Sequence, residues 1–190
     1  MGNALDRTGN RLLGALPQTD CLRLQENIQP VRFLSGRALY ETGDVDRYIY
    51  LPTSAIVSLV CIMECGASAE IAIVDYEGAV GASLIMGDES TTSRAVVHSA
   101  GRGFRIAAKS STEEFDRGGI LMHILLKYTQ ALMTQVAQCA AGNRHHSIEQ
   151  QLCRWLLLGL DRIGLERRTC ECYGVVKHEY DRMLPARFAS

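Results

Sequence analysis

Seven cysteines are the side chains of this sequence with the widest chemistry, because thiolates bind metals, hold iron–sulfur clusters and form disulfides. They are Cys21, Cys61, Cys65, Cys139, Cys153, Cys170 and Cys172. A cluster needs about four thiolates, yet only Cys21 lies near the N-terminus, and Cys170 and Cys172 point to different faces of a helix. The odd number and the lack of an export signal favour reduced thiols. We therefore expect neither a metal site nor a disulfide framework.

Histidines and the common catalytic motifs offer no stronger candidate. His98 and the pair His145-His146 could ligate haem, but a histidine beside a helix start is more often a surface or capping residue. A metal enzyme on a β-barrel needs two or three histidines and a carboxylate directed inward, and the strand region contains only His98. The P-loop, zincin, nucleophile-elbow and dinucleotide motifs are missing. The sequence predicts no catalytic residue, and hence no enzyme.

Composition indicates a globular protein with one sizeable domain and an appendage. The chain has 190 residues, of which 47% are hydrophobic and 22% are charged, and its net charge is -1. This balance gives no sign of a strongly basic surface for nucleic acids, and the arginines of the C-terminal third alternate with carboxylates, as on a solvated helix face. No stretch is apolar over the roughly 18 residues that a membrane span needs. We expect a cytoplasmic protein with no membrane partner.

Short segments rich in Val, Ile and Tyr, separated by Gly, Asp, Pro or Ser, run from Val31 to about Ala108. Their sequences are VRFL, RALY, YIYLP, AIVSLVCIM, AEIAIVD, SRAVVHS and GFRIAA. Many short strands punctuated by glycine are typical of an all-β roll or barrel. Two short helices precede them, one ended by Pro17 and the next expected to be capped by Thr19.

Helical patterns replace the strands after Ala108. Ser111 or Thr112 is expected to cap a helix whose first turn carries two glutamates. A helix capped by Ser147 is expected beyond the long helix, and the tail is expected to form one more helix before Pro185.

The long helix that follows Gly118-Gly119 carries a seam of residues spaced alternately by four and three, and the pair Gly142-Asn143 is expected to end it. The seam residues are Leu121, Leu125, Tyr128, Leu132, Gln135 and Cys139. Such a helix is far longer than one side of a small β-roll, so part of its apolar face needs a partner. A second copy of the chain is the simplest one, and the sequence predicts a homodimer through these six residues.

The ordered segments resemble the effector domain of Crp/Fnr-type bacterial transcription regulators. The resemblance is carried by NRLLGALP, GRALYETGD, YIYLPTSAIVSLV, AEIAIVDYEGAVGASLIMG, SRAVVHSAGRGFRI and AGNRHHSIEQQLCRWLL, and it covers about residues 10–184. It implies a double-stranded β-helix (jelly roll) of the cyclic-nucleotide-binding type, with short N-terminal helices and a long C-terminal dimerisation helix.

One departure from that family concerns DNA. Family members continue after the equivalent of CRWLL with a winged helix-turn-helix of several dozen residues, and then a final helix of the form CECY…EYDRLL. Here the chain passes directly from one to the other, and residues 158–165 leave no room for a recognition helix. The resemblance therefore implies a member whose DNA-binding domain is missing, and sequence-specific DNA binding becomes doubtful.

A second departure concerns the effector. The resemblance places the effector-binding positions at Gly81, Ala82, Ser83, Ser93 and Arg94. Family members that bind cyclic nucleotides carry a glutamate where Ala82 stands, and their phosphate-binding arginine lies one residue away from Arg94. In a strand, one residue moves a side chain to the other face. We therefore expect no cyclic-nucleotide cofactor.

These observations combine into three segments: a β-roll effector domain with N-terminal helices over residues 1–118, a dimerisation helix over 119–142, and short C-terminal helices over 143–190 that are the remnant of a DNA-binding region. The resemblance implies transcription regulation by sensing and dimerisation, as a homodimer or a heterodimer with a full-length relative. A stand-alone ligand-binding or protein-interaction module and a non-functional remnant that still folds are the alternatives.

Overall fold

The structure is a computed structural model that describes residues 9–44, 48–83, 91–145 and 171–183. The helices are α1 (Arg11–Ala15), α2 (Gln18–Gln25), α3 (Ala108–Asp116), α4 (Ile120–His145) and α5 (Glu171–Met183). The strands are β1 (Ile28–Phe33), β2 (Ala38–Tyr40), β3 (Tyr48–Pro52), β4 (Ile56–Ile62), β5 (Ser68–Val74), β6 (Arg94–Ser99) and β7 (Gly101–Ala107). Each strand falls within or overlaps one of the seven segments predicted from the sequence.

Two antiparallel sheets form the roll. One has the strand order β1-β7-β3 and the other β2-β6-β4-β5. A single bridge between Tyr50 and Val80 attaches the chain that leaves β5 to strand β3, with hydrogen bonds of 2.9 Å and 2.8 Å in the two directions. The jelly-roll fold predicted from the sequence is confirmed.

The space between the sheets is filled by apolar side chains. Alternation decides which side chains enter it, because successive residues of a strand point to opposite faces. In β6, Ala95 and Val97 are buried while Arg94 and Val96 are not. The cluster consists of Phe33, Tyr40, Ala55, Val57, Leu59, Ala72, Val74, Val80, Ala95 and Val97.

A second apolar cluster joins the helices to the outer face of the β1-β7-β3 sheet. Ile28, Ile49 and Ile106 come from the three strands, and Leu12 and Leu125 are among the helical side chains that cover them. The helices therefore pack on the sheet rather than standing apart from it, and α4 contacts α5 as well.

The caps predicted at Thr19 and at Ser111 or Thr112 are wrong, whereas Asn10 is a cap that the sequence analysis missed. Helix α2 begins at Gln18, before Thr19, and its N-cap residue is Pro17. Ser111 and Thr112 lie inside α3, where their hydroxyls donate to the carbonyls four residues earlier, a bond that serine and threonine commonly make within helices. The Asn10 side chain accepts hydrogen bonds from the amides of Leu12 and Leu13.

The long helix is confirmed, but its predicted end is wrong. Helix α4 passes through Gly142 and Asn143 to His145, which makes 26 residues, or about 39 Å. Gly142 is buried, and a glycine inside a helix costs only about 1 kcal/mol relative to alanine, which packing can offset. Helix α5 confirms the helix predicted before Pro185, whereas the Ser147 cap and the missing DNA-binding region at 158–165 lie outside the described residues.

Candidate effector site and the faces of the long helix

The two parts of the predicted effector site belong to two different segments of the chain, one after the Tyr50–Val80 bridge and one at the start of β6. Gly81 and Ala82 are buried just after the Tyr50–Val80 bridge, whereas Ser83 is exposed. Ala82 packs in the apolar cluster between the helices and the β1-β7-β3 sheet. Gly81 has φ of +89°, a conformation that favours glycine. Ser93 precedes β6, and Arg94 begins that strand.

Arg94 points away from the interior of the roll. Its Nε lies 2.9 Å from Oε2 of Glu41, and the two side chains are 38% and 50% exposed. The next residue, Ala95, is fully buried, so the one-residue offset does place the guanidinium on the outer face, as the strand alternation predicts. An ion pair this exposed contributes about 0–1 kcal/mol to stability.

Among the described residues, no cation is fully buried in the interior of the roll, and the partly buried Arg105 of β7 is already held by Gln29 and by the ring of Tyr48. The buried polar residues among them are Asn10, Ser58, Thr91, Ser111 and Gln135, none of which is ionisable. Leu132 and Val136 of α4 close the apolar cluster from the side of the helix. This environment suits apolar packing and would leave a phosphate without a charged partner.

The end of β5 and the turn that follows it are held by polar contacts from α4 and from Asn10, the N-cap residue of α1. Tyr128 Oη donates to the Ala79 carbonyl (2.8 Å), and Gln135 Nε2 donates to the Ile73 carbonyl (3.1 Å). Asn10 Nδ2 donates to the carbonyls of Gly78 (3.0 Å) and Pro52 (2.8 Å). Because this turn leads directly into Gly81, the helices set the position of the first half of the predicted site.

Helix α5 completes this arrangement. Tyr180 Oη donates to Gln135 Oε1 (3.2 Å), which joins α5 to α4. Arg11 pairs with both Glu77 (2.9 Å) and Asp181 (3.0 Å), so that α1, the turn and α5 share one guanidinium. Burial raises the pKa of the Tyr128 and Tyr180 hydroxyls well above the ordinary value of 10.0, and both therefore remain hydrogen-bond donors at neutral pH. The tyrosine and glutamine at seam positions were the only sequence signal of this network.

The predicted seam exists, but it faces the chain's own roll. Leu125, Tyr128, Gln135 and Cys139 are buried within the single chain, and Leu121 and Leu132 are partly buried against the core. The role of these residues in contacting a second copy is therefore corrected to packing α4 on its own sheets and on α5. The physical reason is that the heptad spacing marks a buried face without stating what buries it.

A second apolar stripe lies on the opposite side of α4, and we call it the outer stripe. It consists of Met122, Leu126, Met133, Ala137 and Ala140. Leu126 is 48% exposed and Met133 is 63% exposed. Their spacing of seven residues places them one above the other, so the helix presents an uncovered apolar line to its surroundings.

Within the described ranges, no group of three or more His, Cys, Asp or Glu side chains is arranged to hold a metal ion. Nor does any helix there combine the length and apolar character that crossing a bilayer requires.

Solved structures with a similar fold include regulators and the sensor domain of a regulator. The c-di-GMP-responsive global regulator CLP of Xanthomonas campestris is similar over 74% of this chain and 70% of its own, with a TM-score of 0.61 and 11% identity. The sensor domain of the transcriptional regulator DNR of Pseudomonas aeruginosa is similar over 75% of this chain and 90% of its own, with a TM-score of 0.51 and 13% identity. Both of these neighbours are regulators of the Crp/Fnr type, and the predicted resemblance is confirmed for the fold.

The comparisons extend no further than the fold. The chain spans 38% of the length of a protein kinase A regulatory subunit from Trypanosoma brucei, to which it is also similar, with a TM-score of 0.49 and 14% identity over 54% of this chain. No family model matches the sequence, and no curated protein matches it either.

Proposed function

We propose that this chain is the sensing and dimerisation portion of a Crp/Fnr-like transcription regulator and does not bind DNA sequence-specifically by itself. The observation that carries the proposal is the combination of a cyclic-nucleotide-binding-like roll with a 26-residue helix whose outer stripe is uncovered. The net charge of -1 supports the absence of independent DNA binding. We place its action in the cytoplasm.

The outer stripe is the surface through which we expect two copies to associate. Its heptad spacing fits the packing of two parallel helices side by side. It is also independent of the predicted seam of Leu121 to Cys139, here called the inner seam, because most of that seam is already buried in the protomer. The dimer therefore needs no rearrangement of the roll.

Sedimentation velocity tests this surface. We expect the wild-type chain to sediment as a dimer and a Leu126→Glu, Met133→Glu variant to sediment as a folded monomer, because two buried unpaired carboxylates are costly in an apolar interface. Lys127→Gln is the control, since Lys127 is exposed but lies off the stripe. A dimer that survives both glutamates would contradict the proposed interface.

A mixed dimer with a full-length relative is the regulatory role that we infer for this arrangement. Co-expression with a full-length Crp/Fnr-type relative, followed by tandem affinity purification, should recover both chains together. The recovery should be lost in the Leu126→Glu, Met133→Glu variant. Specific DNA binding by this chain alone, measured by fluorescence anisotropy against a duplex pool, would refute the proposal on the DNA side.

We also propose that the roll does not bind a cyclic nucleotide in its interior. Arg94 lies on the outer face with Glu41, and apolar side chains fill the space between the sheets. Calorimetric titration with cAMP and with cGMP should show no saturable heat. Saturable binding that Arg94→Gln abolishes would mean that the outward arginine is recruited to the ligand.

A further inference from the structure

An open groove of about 870 Å³ lies along strands β1 and β7, beside the β3–β4 turn. Pro30 and Phe104 of the strands line it, together with Gly9, Thr53 and Ser54. The volume lies within the range of about 300–1,000 Å³ that is typical of small-molecule sites. The groove is separate from the five positions of the predicted effector site.

The strand register makes this face of the sheet change from apolar to cationic along its length. Ile28 lies opposite Ile106, Pro30 lies opposite Phe104, and Arg32 lies opposite Arg102. Because residues two apart on a strand share a face, these three pairs form one continuous row. The first pair is buried under the helices, whereas the two arginines at the other end are exposed.

Two like charges directly opposite each other across a strand pair are destabilising. Among the described residues, no carboxylate forms an ion pair with Arg32 or Arg102. An anion held between the two guanidinium groups would remove the repulsion and gain charged hydrogen bonds.

The backbone of Arg102 is held in place by the β3–β4 turn. Its carbonyl accepts hydrogen bonds from the amides of Thr53 (2.9 Å) and Ser54 (3.2 Å) and from the Thr53 hydroxyl (2.9 Å). Its amide donates to the Ser54 hydroxyl (3.1 Å). Both flanking glycines are also in close contact, since a Cβ on either Gly101 or Gly103 would lie 2.4 Å from backbone atoms. A position fixed in this way reduces the entropy that a ligand must remove on binding.

We propose that this groove binds a small molecule with an anionic head and a short apolar body. The head, a carboxylate or a phosphate ester, lies between Arg32 and Arg102, and the body lies over Pro30 and Phe104. Because adjacent pairs in the row are about 7 Å apart along the strands, one short ligand reaches both regions. The inference goes beyond the proposed function, because it requires neither dimerisation nor a role in transcription.

Calorimetric titration of the full chain with octanoate, octyl phosphate, inorganic phosphate and octyl glucoside tests the site. We expect saturable binding of octanoate or octyl phosphate, with inorganic phosphate and octyl glucoside at least about tenfold weaker because each lacks one half of the recognition. Whichever octyl anion binds more tightly assigns the head group. Equal binding of octyl glucoside, or no saturable binding of either octyl anion, would overturn the proposal.

Substitution of the arginines separates this site from nonspecific binding. Arg32→Gln and Arg102→Gln should each weaken the octyl anion about tenfold, the effect of one charged hydrogen bond. Arg37→Gln is the matched control, because Arg37 is an exposed arginine outside the groove. The melting temperature of the double variant should be equal to or above that of the wild type, since a repulsive pair is removed. Wild-type affinity in the double variant would refute the site.

Discussion

At the scale of single residues, Gly78 and Tyr128 show how closely the turn after β5 is fitted to α4. A Cβ at Gly78 would lie 2.7 Å from the Tyr128 hydroxyl oxygen and 2.8 Å from a ring carbon. The tyrosine cannot easily retreat, because it is fully buried and its hydroxyl donates to the Ala79 carbonyl. The close packing of this turn against α4 therefore requires a residue without a Cβ at position 78.

Gly78→Ala should lower the free energy of unfolding by about 1–3 kcal/mol, the usual cost of overpacking a core. Gly174→Ala is the matched control, because Gly174 is exposed in α5 and a Cβ there would meet nothing within 4 Å. Alanine at 174 should raise stability by up to about 1 kcal/mol through helix propensity. Urea denaturation of the three proteins measures both effects, and equal changes at the two glycines would contradict the packing argument.

The buried tyrosines predict how stability depends on alkaline pH. Burial raises the pKa of both Tyr128 and Tyr180 above the ordinary value of 10.0, so above about pH 10 the unfolded chain releases protons that the folded chain retains. Stability from these groups is complete below pH 10 and is lost as the pH rises through the folded pKa, by at most about 1.4 kcal/mol per pH unit for each tyrosine. Urea denaturation between pH 9 and 11 should show a shallower decline for Tyr128→Phe than for the wild type. Parallel declines would show that this hydroxyl does not contribute.

At the residue scale, the sequence could reveal strand alternation but not hydrogen-bond partners. The outward direction of Arg94 followed from the offset by one residue and agrees with the structure. The roles of Asn10, Tyr128 and Gln135 could not be predicted in the same way, because their acceptors are backbone carbonyls on segments 42–68 residues away. Every residue has a backbone carbonyl, so the residue type does not indicate which carbonyl will accept the hydrogen bond.

At the scale of elements, α5 is attached to the rest of the protein by one face. Val176 is buried against the core, with 6% exposure, whereas its neighbour Val175 is 45% exposed. The same face carries Tyr180, which bonds to Gln135 of α4. In the described structure, the tail helix thus packs against the rest of the chain.

Val176→Asp should detach α5 and lower the free energy of unfolding by about 2–4 kcal/mol, because an unpaired carboxylate would be buried. Val175→Asp makes the same chemical change on the exposed side of the helix and should alter stability by less than about 0.5 kcal/mol. Amide hydrogen exchange should then be faster in α5 for the first variant only. Similar exchange in both variants would mean that α5 does not depend on this contact.

The positions of helices and strands could be predicted where the sequence pattern is periodic. The predictions failed where they depended on single residues. The seven strands follow from short runs of Val, Ile and Tyr between glycines, a signal that is repeated along the chain. The caps at Thr19, Ser111 and Thr112 rested on residue type alone, and serine or threonine can equally bond back within a helix, as Ser111 and Thr112 do. The inner seam was found at the right residues and assigned to the wrong neighbour.

At the scale of the whole molecule, the described cysteines range from buried through the half-buried Cys61 to exposed. Cys21 is buried in α2 and Cys139 is buried in α4, whereas Cys65 is exposed in the turn between β4 and β5. The four described cysteines form no disulfide with one another. Solvent access to the buried thiols of Cys21 and Cys139 therefore reports whether their helices are packed against the rest of the chain.

Timed alkylation followed by peptide mass spectrometry should label Cys65 within minutes in the native protein, while Cys21 and Cys139 react only as the protein opens. In Val176→Asp, Cys139 should become reactive and Cys21 should remain protected. Rapid native labelling of Cys21 would contradict the packing of α2 against the core.

The ion pair between Arg11 and Asp181 joins residues 170 positions apart, and this separation bears on the order of folding. A contact that encloses nearly the whole chain has a high loop-closure entropy and gains nothing until the intervening segments have already been brought together. The pair should therefore form late, and Asp181→Asn should accelerate unfolding while leaving the refolding rate almost unchanged. The ion pair between α1 and α5 would then slow unfolding without contributing to the transition state for folding.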